Sequence, residues 1–145
     1  MPTLPRSGRV RVTRDGGAHV VTAKDEVVGR LEGDEVAMGD LVTTLEVAGT
    51  RRALRSGRSR VLRLDPGGRK ATTLTLTRGR YRLARQKWVP GRRQWVLSQD
   101  VAGEHVLKVT TTPLGTVVQL TPGDDLSDHD LALLTAGSLV VALEG

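Results

Sequence analysis

The chain has 145 residues, no cysteine, and a formal net charge of +6 from 22 basic and 16 acidic groups. That length supports a single domain, residues 1–145, with a core large enough to stand without metals or disulfides. The absence of cysteine excludes disulfide scaffolds, zinc-thiolate centres and thiol catalysis.

Taken in chain order, Met1–Gly8 contains no apolar run of the signal-peptide kind, and no later segment is long enough to span a bilayer, so the expected location is cytoplasmic. From residue 9 onward, alternation with period two recurs and helical periodicity is missing until residue 127. The expected strands are Arg9–Thr13, His19–Ala23, Glu26–Leu31, Leu41–Val47, Arg52–Arg55, Arg60–Leu64, Thr72–Arg78, Arg80–Arg85, Gln86–Val89, Arg93–Ser98, His105–Thr111 and Thr116–Leu120. Turn chemistry separates them: Asp15-Gly16-Gly17, Gly33-Asp34, Asp65-Pro66-Gly67-Gly68, Pro90-Gly91 and Asp100-Val101-Ala102-Gly103. Pro90-Gly91 suits the centre of a type II turn, because proline presets φ and glycine accepts φ > 0. A weak repetition, an acidic residue followed by a short turn rich in glycine, is what successive hairpins produce. About twelve short strands at close spacing imply an antiparallel meander, sandwich or barrel.

Within Thr72–Arg78, Leu74 and Leu76 point one way and Thr73, Thr75 and Thr77 the other. After Gly79 the apolar set is Tyr81 and Leu83, while Arg80 and Arg82 face away. Gly79 is therefore expected to be a bulge or bend that resets the register of one long strand.

Leu131–Leu143 is apolar or small throughout except for Thr135 and Ser138. At about 1.5 Å per residue it spans about 20 Å, short of a bilayer's hydrocarbon core and suited to a helix buried in a small domain. Ser127-Asp128-His129-Asp130 supplies an N-cap serine with an acid three residues on, and Asp128 and Asp130 suit the helix dipole. Gly137 and Ser138 cost helix propensity and are expected to let a strand pass close. A helix that is apolar on every side must be surrounded. The expected fold is therefore mostly β, a closed or nearly closed antiparallel barrel of about twelve short strands wrapping a buried apolar C-terminal helix. The alternative is a β-sandwich with the helix packed across one end.

This layout resembles the superfamily of tubby C-terminal domains, phospholipid scramblases and LURP-one-related proteins. The residues that carry the likeness lie in 80–145: Tyr81-Arg82-Leu83 before Trp88; Arg93-Gln94-Trp95-Val96-Leu97-Ser98; the hairpin at Asp100–Gly103; Val106-Leu107-Lys108-Val109; and Leu126-Ser127-Asp128 leading into Leu131-Ala132-Leu133-Leu134. The resemblance implies a twelve-stranded barrel around a hydrophobic helix. It also implies a basic barrel face for phosphoinositide headgroups, as in tubby domains, or an action on phospholipids, as in scramblases. The chain departs from scramblases in having no cysteine for lipidation, no spanning helix and no acid-rich calcium-binding loop. No headgroup site is carried over residue by residue.

Charge supplies the candidate sites. Residues 1–50 carry six basic and eight acidic groups, net −2; residues 51–93 carry fifteen and one, net +14; residues 94–145 carry one and seven, net −6. A middle segment this basic attracts anions. Eighteen of the 22 basic residues are arginine and phenylalanine is absent, which also fits the codon bias of a GC-rich, bacterial genome using arginine as a solvated strand residue. The first candidate anion-binding strip is Arg78, Arg80, Arg82, Arg85, Lys87, Arg92 and Arg93; on one strand face Arg80 and Arg82 stand about 7 Å apart, a spacing that suits phosphate. A second strip is Arg51, Arg52, Arg55, Arg58, Arg60 and Arg63. The other reading of both is a solvated barrel exterior.

Trp88 and Trp95 flank Pro90-Gly91 as a cross-strand pair or core fillers. His19, His105 and His129 lie on separate elements without metal spacing. Asp124, Asp125, Asp128 and Asp130 lead into the helix and read as capping. No phosphate loop or nucleophile elbow is present, so no catalytic residue, metal or cofactor is assigned. The expected function is a non-catalytic binding module for an anionic phospholipid or phosphoinositide headgroup, or another phosphorylated ligand. The alternatives are a nucleic-acid-associated basic β-protein and a structural domain that self-associates, positive middle to acidic ends.

Overall fold

The computed structural model describes residues 1–67, 71–86, 90–99, 103–123 and 125–144. Twelve strands come first: β1 (Gly8–Asp15), β2 (Ala18–Ala23), β3 (Glu26–Glu32), β4 (Glu35–Met38), β5 (Leu41–Ala48), β6 (Arg51–Ser56), β7 (Ser59–Pro66), β8 (Ala71–Leu76), β9 (Gly79–Arg85), β10 (Arg93–Gln99), β11 (His105–Thr112) and β12 (Gly115–Leu120). One helix, α1 (Asp128–Glu144), follows. Each strand pairs antiparallel with its sequence neighbours. β1 then pairs with β12, from Gly8↔Leu120 to Val12↔Thr116, and closes the barrel. Closure leaves no strand edge among the described residues to template aggregation. This is the mostly β, closed antiparallel barrel around a C-terminal helix that the sequence implies, and it decides against the sandwich.

Tight turns make the meander possible. Most hairpins are closed by two residues, and Lys24-Asp25 between β2 and β3 takes φ of 50° and 66°. Positive φ at both central residues is the type I′ geometry, whose twist matches that of the flanking strands. Gly91 takes φ 76° beside Pro90, as a type II turn requires.

Three local expectations change. Gly79 is not a bend in a long strand: Leu76 pairs with Gly79 across the two-residue turn Thr77-Arg78, and the chain reverses there. The change of phase at Gly79 belongs to a hairpin. In addition, β4 is a strand that alternation does not predict, because Val36, Ala37 and Met38 are all buried. Met38 pairs with Gly29 of β3, and a Cβ on Gly29 would lie 2.6 Å from the Met38 Sδ. The missing side chain on β3 is what gives Met38 its place. Of the expected strand Gln86–Val89, Gln86 lies in no strand and residues 87–89, Trp88 included, lie outside the described residues.

Inward-facing residues fill the barrel in alternation: Val10 and Val12, Leu62 and Leu64, Leu74 and Leu76, Tyr81 and Leu83, Trp95 and Leu97, Val118 and Leu120. The helix occupies the axis. All ten residues Leu131–Val140 are buried, which is nearly three turns without a solvent-facing side. α1 packs against β4, β5, β7, β8 and β11. Asp130 N–H donates to the Ser127 Oγ at 3.1 Å, the expected N-cap. At Gly137 the helix meets β7 and β8, where an added Cβ would lie 2.5 Å from Leu62 Cδ2, 3.2 Å from Leu64 Cδ2 and 3.3 Å from Leu74 Cδ2. The expected close strand passage is real. Thr135 donates to the Leu131 carbonyl at 2.7 Å, while the buried Ser138 Oγ has no partner among the described residues.

Both helix ends are tied to the barrel. Where α1 begins, Leu4 is buried, and Arg6 donates to Asp128 at 2.8 Å and to the Gly123 carbonyl at 2.9 Å. Where it ends, Arg52 donates to Glu144. The last turn of α1 has no basic residue of its own, so Arg52 supplies the cation that a helix C-terminus favours.

Candidate anion-binding surfaces

Strand parity distributes the first strip over different faces. Arg80 and Arg82 are exposed and alternate with the buried Tyr81 and Leu83, so both stand on the outer wall of β9, with Arg78 at the adjoining hairpin turn. Register places Thr75 beside Arg80, and Thr73 and Ser98 on either side of Arg82. Hydroxyl donors thus flank two guanidiniums, and none of Arg78, Arg80 and Arg82 is paired with a carboxylate among the described residues. Arg85 has the inward parity of Leu83 and stacks over the Trp95 ring, 5.8 Å from its centroid, a cation–π contact at the mouth where α1 ends. Arg93 shares the strand face of Trp95 and belongs to the same mouth. Lys87 lies outside the described residues. Arg92 has the outward parity of Gln94 and belongs to another wall.

The second strip is largely neutralised. Glu46 on β5 pairs with Arg60 at 2.7 Å and Arg55 at 3.5 Å. Asp65 on β7 pairs with Arg51 at 3.7 Å and Arg63 at 4.0 Å. Arg52 is taken by Glu144, and Arg58 stands at the β6–β7 turn. The hydrogen bond from Arg60, opposed by partial burial and assisted by the charges of Arg60 and Arg55, holds the Glu46 carboxyl below its ordinary range. A hollow of about 240 Å³ lies among these pairs, with its cations already engaged by carboxylates.

Arg92 lies instead in a group that charge counting along the chain does not reveal. On the wall formed by β10, β11, β12 and β1, the outward residues Arg9, Gln119, Lys108 and Val96 are register partners in one row across the four strands. Gln94, Thr110, Val117 and Arg11 form the next row. A hollow of about 280 Å³ is lined here by Arg9, Arg92, Gln94, Lys108, Thr110, Val117 and Gln119. A second hollow of about 200 Å³, with Val96, His105, Leu107 and Thr121, shares Lys108 and Gln119 with the first. No described carboxylate lines either. Arg9 and Lys108 come from the two chain segments of net negative charge. Only the closure of β1 on β12 brings them together, so the pattern of charge along the chain could not show them.

A fourth hollow, about 360 Å³, sits at the mouth where α1 begins, between Leu4, Met38, Leu41 and Ala132, with Asp40, Asp128 and His129 at its rim. Arg6 engages Asp128. His19, His105 and His129 lie apart, and among the described residues no group of three metal-ligating side chains converges. α1 is not long and apolar enough to cross a membrane. Comparison with protein-family models, with curated proteins and with solved structures finds no match to this chain.

Proposed function

We propose that the protein is a non-catalytic binding module of the tubby, scramblase and LURP-one-related class. It would recognise an anionic phospholipid headgroup, or another phosphorylated ligand, through the basic outer wall of β9. The observation that carries this reading is the exposed pair Arg80 and Arg82, flanked by Thr73, Thr75 and Ser98 and unengaged by carboxylates among the described residues, whereas the second strip is largely paired. Two arginines on one strand face, their Cα atoms about 7 Å apart, offer planar, bidentate donors to one or two phosphates. The barrel around a C-terminal helix, which the resemblance implies, supports the assignment to this class. Tyr81 and Trp95 are buried, which removes them as stacking platforms and favours a headgroup over single-stranded nucleic acid.

The test is co-sedimentation with phosphoinositide vesicles and with phosphatidylserine vesicles of matched surface charge, at physiological salt. Preference for phosphoinositide, abolished by Arg80→Glu with Arg82→Glu, is the expected result. Equal binding to both, or none, refutes a shaped headgroup site on this wall.

A further inference from the structure

The hollow between β10 and β1 lies on a different wall from Arg80 and Arg82 and has a different construction. Its cations ring a polar floor. Arg9 and Lys108 flank Gln119 in one register row, their Cα atoms two strands and so about 9–10 Å apart. Both side chains are long enough to lean over Gln119 toward a common point. Arg92 lines the hollow from the β10 side. The floor holds two carboxamides, a hydroxyl and the apolar Val117, and the half-buried Gln94 is directed across to β11 by donating to Thr110 Oγ1 at 3.4 Å.

Three cations around one hollow that no carboxylate among the described residues lines repel one another, and an anion seated among them relieves that repulsion. A singly charged carboxylate would leave most of the excess in place. A phosphate monoester or diphosphate carries two or more negative charges and several acceptor oxygens. Arginine meets these oxygens through planar paired donors, lysine acts as a point charge, and carboxamide and hydroxyl groups complete the contacts. The volume of about 280 Å³ admits such a group with a compact carrier.

We propose that this hollow is a binding site for a phosphate monoester or diphosphate, gripped by Arg9, Lys108 and Arg92 over Gln94, Gln119 and Thr110. The site is independent of the headgroup reading for β9: it uses other residues and accepts a discrete ligand.

The probe is pyrophosphate, titrated into the full chain at physiological salt. Binding is followed by calorimetry and by the side-chain amide signals of Gln94 and Gln119 in nitrogen-labelled protein. Saturable binding that moves both amides is expected. Arg9→Ala with Lys108→Ala should weaken it by about tenfold or more, and Arg80→Glu with Arg82→Glu should leave it unchanged. All four positions are exposed, and an unaltered thermal melt of each variant verifies the fold. A parallel arm uses phosphatidic acid vesicles, which present the same phosphate on a lipid. Pyrophosphate binding assigns the hollow to a free ligand. Vesicle binding alone, lost on Arg9→Ala with Lys108→Ala, assigns it to a lipid-borne phosphate. The proposal is overturned if neither probe moves Gln94 and Gln119, or if acetate at equal ionic strength displaces pyrophosphate, or if the Arg80→Glu, Arg82→Glu variant loses binding equally.

Discussion

Gly137 and Ser138 adjoin on α1 and respond oppositely to the same small change. Alanine at 137 gains about 1 kcal/mol of helix propensity, but its Cβ would sit 2.5 Å from Leu62 Cδ2, with Leu64 and Leu74 crowding behind. Overpacking of a filled core costs about 1–3 kcal/mol, so Gly137→Ala is expected to lower the thermal midpoint. Ser138→Ala removes a buried hydroxyl without a partner among the described residues and should leave stability unchanged or raise it by about 1 kcal/mol. Paired melts of the two variants check both. Tyr81 offers a third probe. Burial first, then the charges of Asp125 and Asp130, push its hydroxyl above the ordinary tyrosine value. The folded state therefore holds this proton more tightly than the unfolded chain. The resulting stability is fully present below the unfolded value of about 10 and is lost as pH rises through the folded one. Tyr81→Phe should flatten the alkaline limb of a stability–pH curve, and an unchanged limb would assign that limb to other groups.

The helix was the most legible element, and the reasons are local. Its cap, Ser127, lies next to the residues it serves, and its apolar residues leave no polar face to misplace. Ser127→Ala should cost about 1 kcal/mol, readable in denaturant titration. Leu134→Asp should abolish cooperative folding, because Leu134 is fully buried and a carboxylate in its place would lose its hydration; a folded, soluble variant would contradict the threaded helix. The strands that alternate cleanly, such as β8 and β9, were equally legible. β4 was not, because its three consecutive buried residues show no alternation and Met38 owes its place to Gly29 on another strand. At Gly79 the residues showed a change of phase, but bend and hairpin share that signature, and only the pairing of Leu76 with Gly79 separates them.

For the whole molecule, sequence distance misrepresents charge. Counting along the chain marked 51–93 as the basic region, yet the barrel pairs much of its second strip with Glu46, Asp65 and Glu144. It also sends Arg85 over Trp95. The wall with no described carboxylate among its lining residues draws Arg9 and Lys108 from segments of net negative charge. A surface site on a closed sheet is a property of the register between distant strands, and no local pattern encodes it. The outward arginines of β9 are the part that could be read, since parity alone fixes them. Arg80→Glu with Arg82→Glu should change unfolding free energy by no more than about 1 kcal/mol, because exposed charges contribute little to stability; denaturant melts separate this from the binding loss.

The threaded helix also fixes an order of events during synthesis. Every strand leaves the ribosome before the residues that must lie between them. The two-residue hairpins can form as they emerge, each from neighbouring chain, but the ring they make has no filling until α1 is released. A nascent chain stalled before residue 128 would present its inward valines and leucines to solvent and to chaperones. Truncation from the carboxyl end should therefore yield insoluble protein rather than a smaller barrel, and a fusion partner joined after Glu144 must leave through the mouth where Arg52 holds the helix.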